Sequence, residues 1–139
     1  MRRTVFLLVL GGLAVSLASC GQSEARTPTF AVTGRVLDGS KPLANATVVF
    51  HPLDGADAVT PRPRGKTDET GTFRLTTYDA DDGAPAGQYR VTVEQWATPN
   101  PEQGPVNRVP AKYANPAGSG FTADVSTGPN EPKLFTLKR

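Results

Sequence analysis

An all-β sandwich is the fold class that this sequence predicts, and three observations carry it. Short runs of apolar residues alternate with polar ones at period two, which is the signature of half-buried strands. Glycine- and proline-bearing turns separate those runs, with 14 Gly and 13 Pro in 139 residues. No stretch carries a long helical pattern, and so many prolines would interrupt one.

The runs follow one another along the chain. In "TFAVTGRVLDG", Phe30, Val32 and Val36 share a face with Gly34, and Thr33 and Arg35 point the other way. Ala46, Val48 and Phe50 share a face in "NATVVFHP", as do Phe73 and Leu75 in "GTFRLTTY". Tyr89, Val91 and Val93 lie opposite Arg90, Thr92 and Glu94. Phe121, Ala123 and Val125 form the next set, and Phe135 and Leu137 the last. About seven antiparallel strands of this kind read as an immunoglobulin-like or transthyretin-like sandwich, whose two sheets bury these residues face to face. About 110 residues suffice for such a core without disulfides. Two segments break the rhythm with prolines, His51 to Lys66 and Ala97 to Gly120. The second reads as a long loop in which Tyr113 packs locally.

The N-terminus has a different grammar. Arg2 and Arg3 precede an apolar run from Val5 to Leu17, and Leu17-Ala18-Ser19 is a small-residue exit. That order is a secretory signal peptide, here expected as a helix before the domain, and the run is short of the ~20 residues a spanning helix needs. The single cysteine, Cys20, follows at once. Leu17-Ala18-Ser19-Cys20 resembles the lipobox of bacterial lipoproteins. The resemblance implies acylation of Cys20, palmitate included, so that the chain is exported and held to the cell membrane or the outer membrane. Gly21, where an aspartate would favour inner-membrane retention, leans toward the outer membrane. The domain plan is then residues 1–19 as lipoprotein signal peptide, 20–28 as flexible tether and 29–139 as the sandwich.

Arg2 and Arg3 account for the formal charge of +2: without them 13 Lys+Arg face 13 Asp+Glu. A neutral body argues against nucleic acid as partner, because phosphate binding needs a basic surface.

Three segments, "VTGRVLDGSKPLANATVVFHPL", "GKTDETGTFRLTTY" and "APAGQYRVTV", resemble the carboxypeptidase regulatory-like domain, over residues 30–96. The matching motifs are Gly34–Val36, Lys41–Val48, Thr67–Phe73 and Pro85–Val93. The resemblance implies a transthyretin-like sandwich, and the C-terminal part looks like small bacterial lipoproteins that carry this domain alone. Family members sit beside a catalytic unit, which this chain lacks, so that role does not carry over. The motif residues also have a physical reading. Gly71 supplies a positive φ, Asp68 caps turn amides, Gly34 makes room for a ring or backbone, and Tyr89 buries its ring and bonds backbone through its hydroxyl.

Chemistry is sparse. His51 is the single histidine and makes no metal site alone. No G-x-S-x-G elbow or phosphate-binding glycine loop occurs, so neither an enzyme nor a cofactor is expected. Asp79, Asp81 and Asp82 read as a solvated turn, with Ca²⁺ as the alternative. Arg62, Arg64 and Lys66 in "PRPRGK" read as a solvated basic loop, with anion binding as the alternative. Trp96 is either a stacking platform for a sugar or peptide or a cover for the edge of the core, with Tyr113 and Tyr78 as companions in ligand binding. The expected activity is a non-catalytic interaction or structural module at the cell envelope, with an envelope protein or a polysaccharide as partner. A glycan-binding module that uses Trp96 and the loop aromatics is the alternative. Metabolic labelling with a palmitate analogue tests the anchor: Cys20→Ser should abolish label that the unaltered chain carries, and label that persists in the variant would refute acylation at Cys20.

Overall fold

The computed structural model describes residues 25–54 and 60–139. The expected signal peptide, Cys20 and the first part of the tether lie outside the described residues. The strands in chain order are β1 (Thr29–Phe30), β2 (Thr33–Asp38), β3 (Lys41–Pro42), β4 (Thr47–Pro52), β5 (Arg64–Lys66), β6 (Thr72–Arg74), β7 (Ala84–Pro85), β8 (Gly87–Glu94), β9 (Trp96–Ala97), β10 (Val106–Asn107), β11 (Phe121–Val125) and β12 (Lys133–Leu137), with a 3₁₀ turn over Ala111–Ala114 before β11. Among the described residues, no helix is long and apolar enough to cross a membrane.

Seven of these strands have three residues or more, β2, β4, β5, β6, β8, β11 and β12, and they build the two layers of a β-sandwich. The larger sheet runs β11-β8-β4-β5. In the smaller one β2 is central, with β12 beside it and β3 and β6 paired to it as well. The shorter strands make two-stranded ribbons, β1 with β7 and β9 with β10.

One pairing departs from the antiparallel expectation: β12 runs parallel to β2, with Phe135 beside Val36. The cause lies in the crossover from β11 to the other sheet. Asn130 ties that segment to the start of β2, accepting from Ser126 N at 2.8 Å and donating to the Ala31 carbonyl at 3.4 Å. The chain therefore enters β12 at the end where β2 begins, and period two carries no information about that direction.

The inward faces are those of the alternation pattern. Val36, Ala46, Val48, Phe50, Leu75, Val91 and Val93 are completely buried, and Phe30 and Phe121 pack half-buried against them. Rings from both layers meet in the middle. Phe50 of β4 lies edge-on to Phe73 of β6 at 6.4 Å and to Phe135 of β12 at 6.2 Å. Gly34 makes this possible: a Cβ there would sit 2.4 Å from the Phe73 ring and 2.6 Å from the Lys133 carbonyl oxygen. Tyr89 donates its hydroxyl to the Pro85 carbonyl at 2.6 Å. Burial, and then the nearness of Tyr78, pushes that phenol up to about 12.

The turn before β6 follows its motif. Asp68 Oδ1 accepts from Thr70 N at 2.8 Å and Thr72 N at 3.0 Å. The Thr70 hydroxyl, also bonded to this carboxylate, leads the causes that hold Asp68 below the usual carboxylate value. Gly71 has φ +76°, and a Cβ there would meet the Val36 carbonyl oxygen at 2.5 Å.

The stretch from Ala97 to Gly120 is more ordered than its prolines imply. Asn107 is the reason: its Oδ1 accepts from Gln95 N at 3.0 Å and Val109 N at 3.1 Å. These bonds close the β9–β10 ribbon and launch the segment that buries Val109 and Tyr113.

Gly71→Val combines an unfavourable φ with a backbone clash. It should lower the melting temperature by roughly 5–15 °C, given strain of a few kcal/mol in a domain of this size. An unchanged thermal denaturation midpoint would contradict the turn geometry.

Candidate functional site

The same alternation that buries one face of the larger sheet aims the other at solvent. Register across β8, β4 and β5 sets three rows on this outer face: Glu94, Thr47 and Lys66; then Thr92, Val49 and Arg64; then Arg90 and His51. Arg62 precedes Arg64 by two residues. The described ion pairs are Arg26–Asp79 at 3.0 Å, Arg74–Asp81 at 3.9 Å and Arg139–Asp38 at 2.6 Å. Among the described residues, Arg62, Arg64, Lys66 and Arg90 therefore have no carboxylate within salt-bridge distance.

Two recesses are built from these side chains. The larger, about 680 Å³, lies over the junction of β5 and β6, where the edges of the two sheets meet. The strands are joined at both ends. Arg64 and Thr76 exchange backbone bonds of 3.0 and 2.8 Å, and Asp68 N donates to the Thr72 carbonyl at 2.9 Å. In between, the Arg74 carbonyl lies beneath Gly65, where a Cβ would come within 2.3 Å of its oxygen. Arg64, Lys66 and Thr47 form one wall, and Arg74, Thr72 and Thr76 the other, with Asp68 and Asp81 also contributing. The basic segment seen in the sequence is thus in part a strand, and Arg74 joins it from the opposite sheet.

The smaller recess, about 360 Å³, is lined by His51, Arg62 and Arg90 with Pro52, Leu53 and Pro116. His51 Nε2 is 2.9 Å from the Thr92 hydroxyl, which gives the buried Thr92 its partner. Burial, then the Arg62 guanidinium, lowers the His51 pKa from its ordinary value, and Glu94 opposes them.

The three aromatics expected to bind ligand are not brought together. Trp96 is 57% exposed at the far end of β8, its indole N–H donating to Glu94 Oε2 at 2.5 Å. It is a surface residue, not a cover for the core. Tyr113 corrects the expectation of a ligand-facing ring, because it is only 4% exposed. It stacks on Phe121 at 5.2 Å, accepts from Lys138 N at 2.7 Å and donates to the Lys138 carbonyl at 3.1 Å. Its ring and hydroxyl are occupied in tying the last strand to the 3₁₀ turn. Tyr78 is half-buried beside the start of the described chain, its hydroxyl accepting from Thr27 N at 3.3 Å and the Arg26 guanidinium 5.3 Å from its ring centre. Thr27 in turn borders Gly87 and Gln88, so Tyr78 and Trp96 lie toward opposite ends of β8, separated by about 25 Å for an eight-residue strand.

The aspartate turn is built from its own backbone. Asp82 accepts from Thr77 N at 2.7 Å, Tyr78 N at 3.0 Å and Asp79 N at 3.1 Å. Burial pushes its carboxyl up, but these N–H groups outweigh that and hold it below the usual range. Asp79 faces Arg26 and Asp81 faces Arg74, and among the described residues no three His, Cys, Asp or Glu side chains group as metal ligands.

A lowered folded pKa makes His51 a pH-dependent contributor to stability. Below its ordinary value of 6.5 the unfolded chain binds a proton that the folded chain does not. The stability it supports is therefore complete above that value and falls as pH drops toward the folded pKa. His51→Gln should flatten the melting-temperature profile over this window, and an identical slope in both proteins would contradict it.

No family model matches the chain, and no curated protein matches it. Among solved structures, the crystal structure of a 9R-lipoxygenase from Cyanothece PCC8801 aligns with 79% of this chain and 16% of its own, at 22% identity and a TM-score of 0.37. A likeness that distant carries no argument about activity.

Proposed function

We propose that this protein is an exported, non-catalytic lipoprotein of the cell envelope, held to a membrane through Cys20, whose sandwich is a protein-interaction module of the carboxypeptidase regulatory-like kind. The observation that supports the interaction role most directly is the segregation of charge. Among the described residues, Arg62, Arg64, Lys66 and Arg90 stand without ion pairs on one sheet face and its margin, in a chain whose charges balance once Arg2 and Arg3 are set aside. With Glu94 as the carboxylate in the same rows, these four cations outnumber the acidic side chains there, and such an excess of like charge contributes little to folding. They are well placed to steer and orient an acidic partner.

His51 fits this reading better than catalysis. It is bonded to a threonine, and burial, then the Arg62 guanidinium, disfavours its protonated form. A second reading, glycan binding, draws support from one observation, the 57% exposure of Trp96.

Crosslinking of the tagged full-length protein in intact cells, followed by mass spectrometry, separates the two. The interaction module predicts one dominant protein partner. Recovery of no protein, with the domain retained on envelope polysaccharide and released by Trp96→Ala at unchanged melting temperature, would overturn it in favour of the glycan.

A further inference from the structure

We propose that the groove over the β5–β6 junction is the recognition site, and that it takes an extended acidic segment of the partner polypeptide. This rests on the interaction-module reading and names the partner's chemistry.

Arg64 and Lys66 project from the same side of β5, two residues apart, so their stems rise about 7 Å from one to the next. Alternate side chains of an extended peptide have that same spacing, so Glu or Asp at positions i and i+2 can meet both cations at once. Charge-assisted hydrogen bonds to the Arg64 guanidinium would be the more directional of the two. Arg74 faces them from the other wall and is held only loosely, 3.9 Å from Asp81. Asp68 belongs to the turn where β5 and β6 rejoin, and Asp81 N bonds the Thr76 hydroxyl at the other junction. Carboxylates at both ends disfavour a long uniformly acidic ligand and select a short acidic stretch with neutral or basic flanks.

The lining also discriminates against a sugar polymer. Its aromatic member is Phe73, which is 1% exposed, and Trp96 is not part of it. A glycan would find no ring to stack on. The volume of about 680 Å³ accommodates a few extended residues.

The test uses the full-length protein in detergent and a fluorescein-labelled peptide of alternating Glu and Thr, with a Gln–Thr peptide as control. Fluorescence anisotropy should show binding of the Glu peptide alone, strongly weakened by about 0.5 M salt. Arg64→Gln combined with Lys66→Gln should weaken it by about tenfold or more, since two charge-assisted bonds are lost. Both positions are exposed, so the melting temperature should hold. Absence of Glu-peptide binding, or equal binding by the double variant, would overturn the proposal. Tighter binding of oligogalacturonate, lost in the same variant, would replace the peptide with an acidic glycan. Crosslinking in cells keeps the two readings apart. A partner captured equally by the double variant refutes the groove and leaves the interaction module standing. No protein partner for the unaltered chain refutes the module itself.

Discussion

The contact between Gly34 and the Phe73 ring is the constraint on which the sandwich depends. Phe73 can lie across β2 because Gly34 has no Cβ, and the Lys133 carbonyl closes the same space from the other flank. With its position fixed, Phe73 stacks on Phe135 at 6.2 Å and meets Phe50 edge-on. Phe50 in turn packs against Tyr89 at 5.5 Å. These rings belong to β6, β12, β4 and β8, so a single small residue on β2 makes room for a ring cluster that spans both layers. Each aromatic pair adds about 0.5–1.5 kcal/mol beyond its buried area. A side chain at Gly34 would loosen several of them together.

The surface inherits its order from this core. A strand displaced by one residue turns every side chain to the other face, so a deeply buried inner set makes the outer set unambiguous. On β5 the constraint acts through Gly65, which pairs with the buried Val48 and has no room for a side chain because the Arg74 carbonyl occupies the space where its Cβ would lie. Arg64 and Lys66 then have no choice but to face out, side by side. The charge pattern and the packing are consequences of the same register, and a change at Gly65 would disturb the sheet junction and the groove at once.

Much of the fold was legible because it depends on local alternation. The inward sets were readable one strand at a time, and so were the Asp68–Gly71 turn and the Tyr89 hydroxyl, since their partners lie within a few residues. Direction and assembly were not. The parallel course of β12 goes with a crossover that brings Asn130 beside Ala31, 99 residues earlier. Tyr113 sits among prolines that read as a loop with local packing, whereas its ring stacks on Phe121 of β11 and its hydroxyl is held by the Lys138 backbone, 25 residues away. The candidate site failed to show for the same reason. "PRPRGK" displayed three cations, but Arg74 joins them only across a sheet junction, and Arg90 meets His51 only through the β4–β8 register. Outward parity on β8, which sets Arg90 opposite the buried Val91, was the available signal, and without pairing it names no neighbour.

The described chain starts at a particular place on this surface. Arg26 is held by Asp79 and by the face of Tyr78, so the polypeptide enters the domain beside the aspartate turn. If Cys20 is the lipid anchor, six residues span at most about 20 Å from bilayer to domain. That length would limit how far the end of the sandwich carrying the turn stands from the bilayer. Trp96 and the β9–β10 ribbon lie toward the other end of β8, away from it. The groove runs between these ends along the junction of β5 and β6, reached from the side. A partner bound there would lie alongside the domain with its own chain free to continue toward or away from the bilayer.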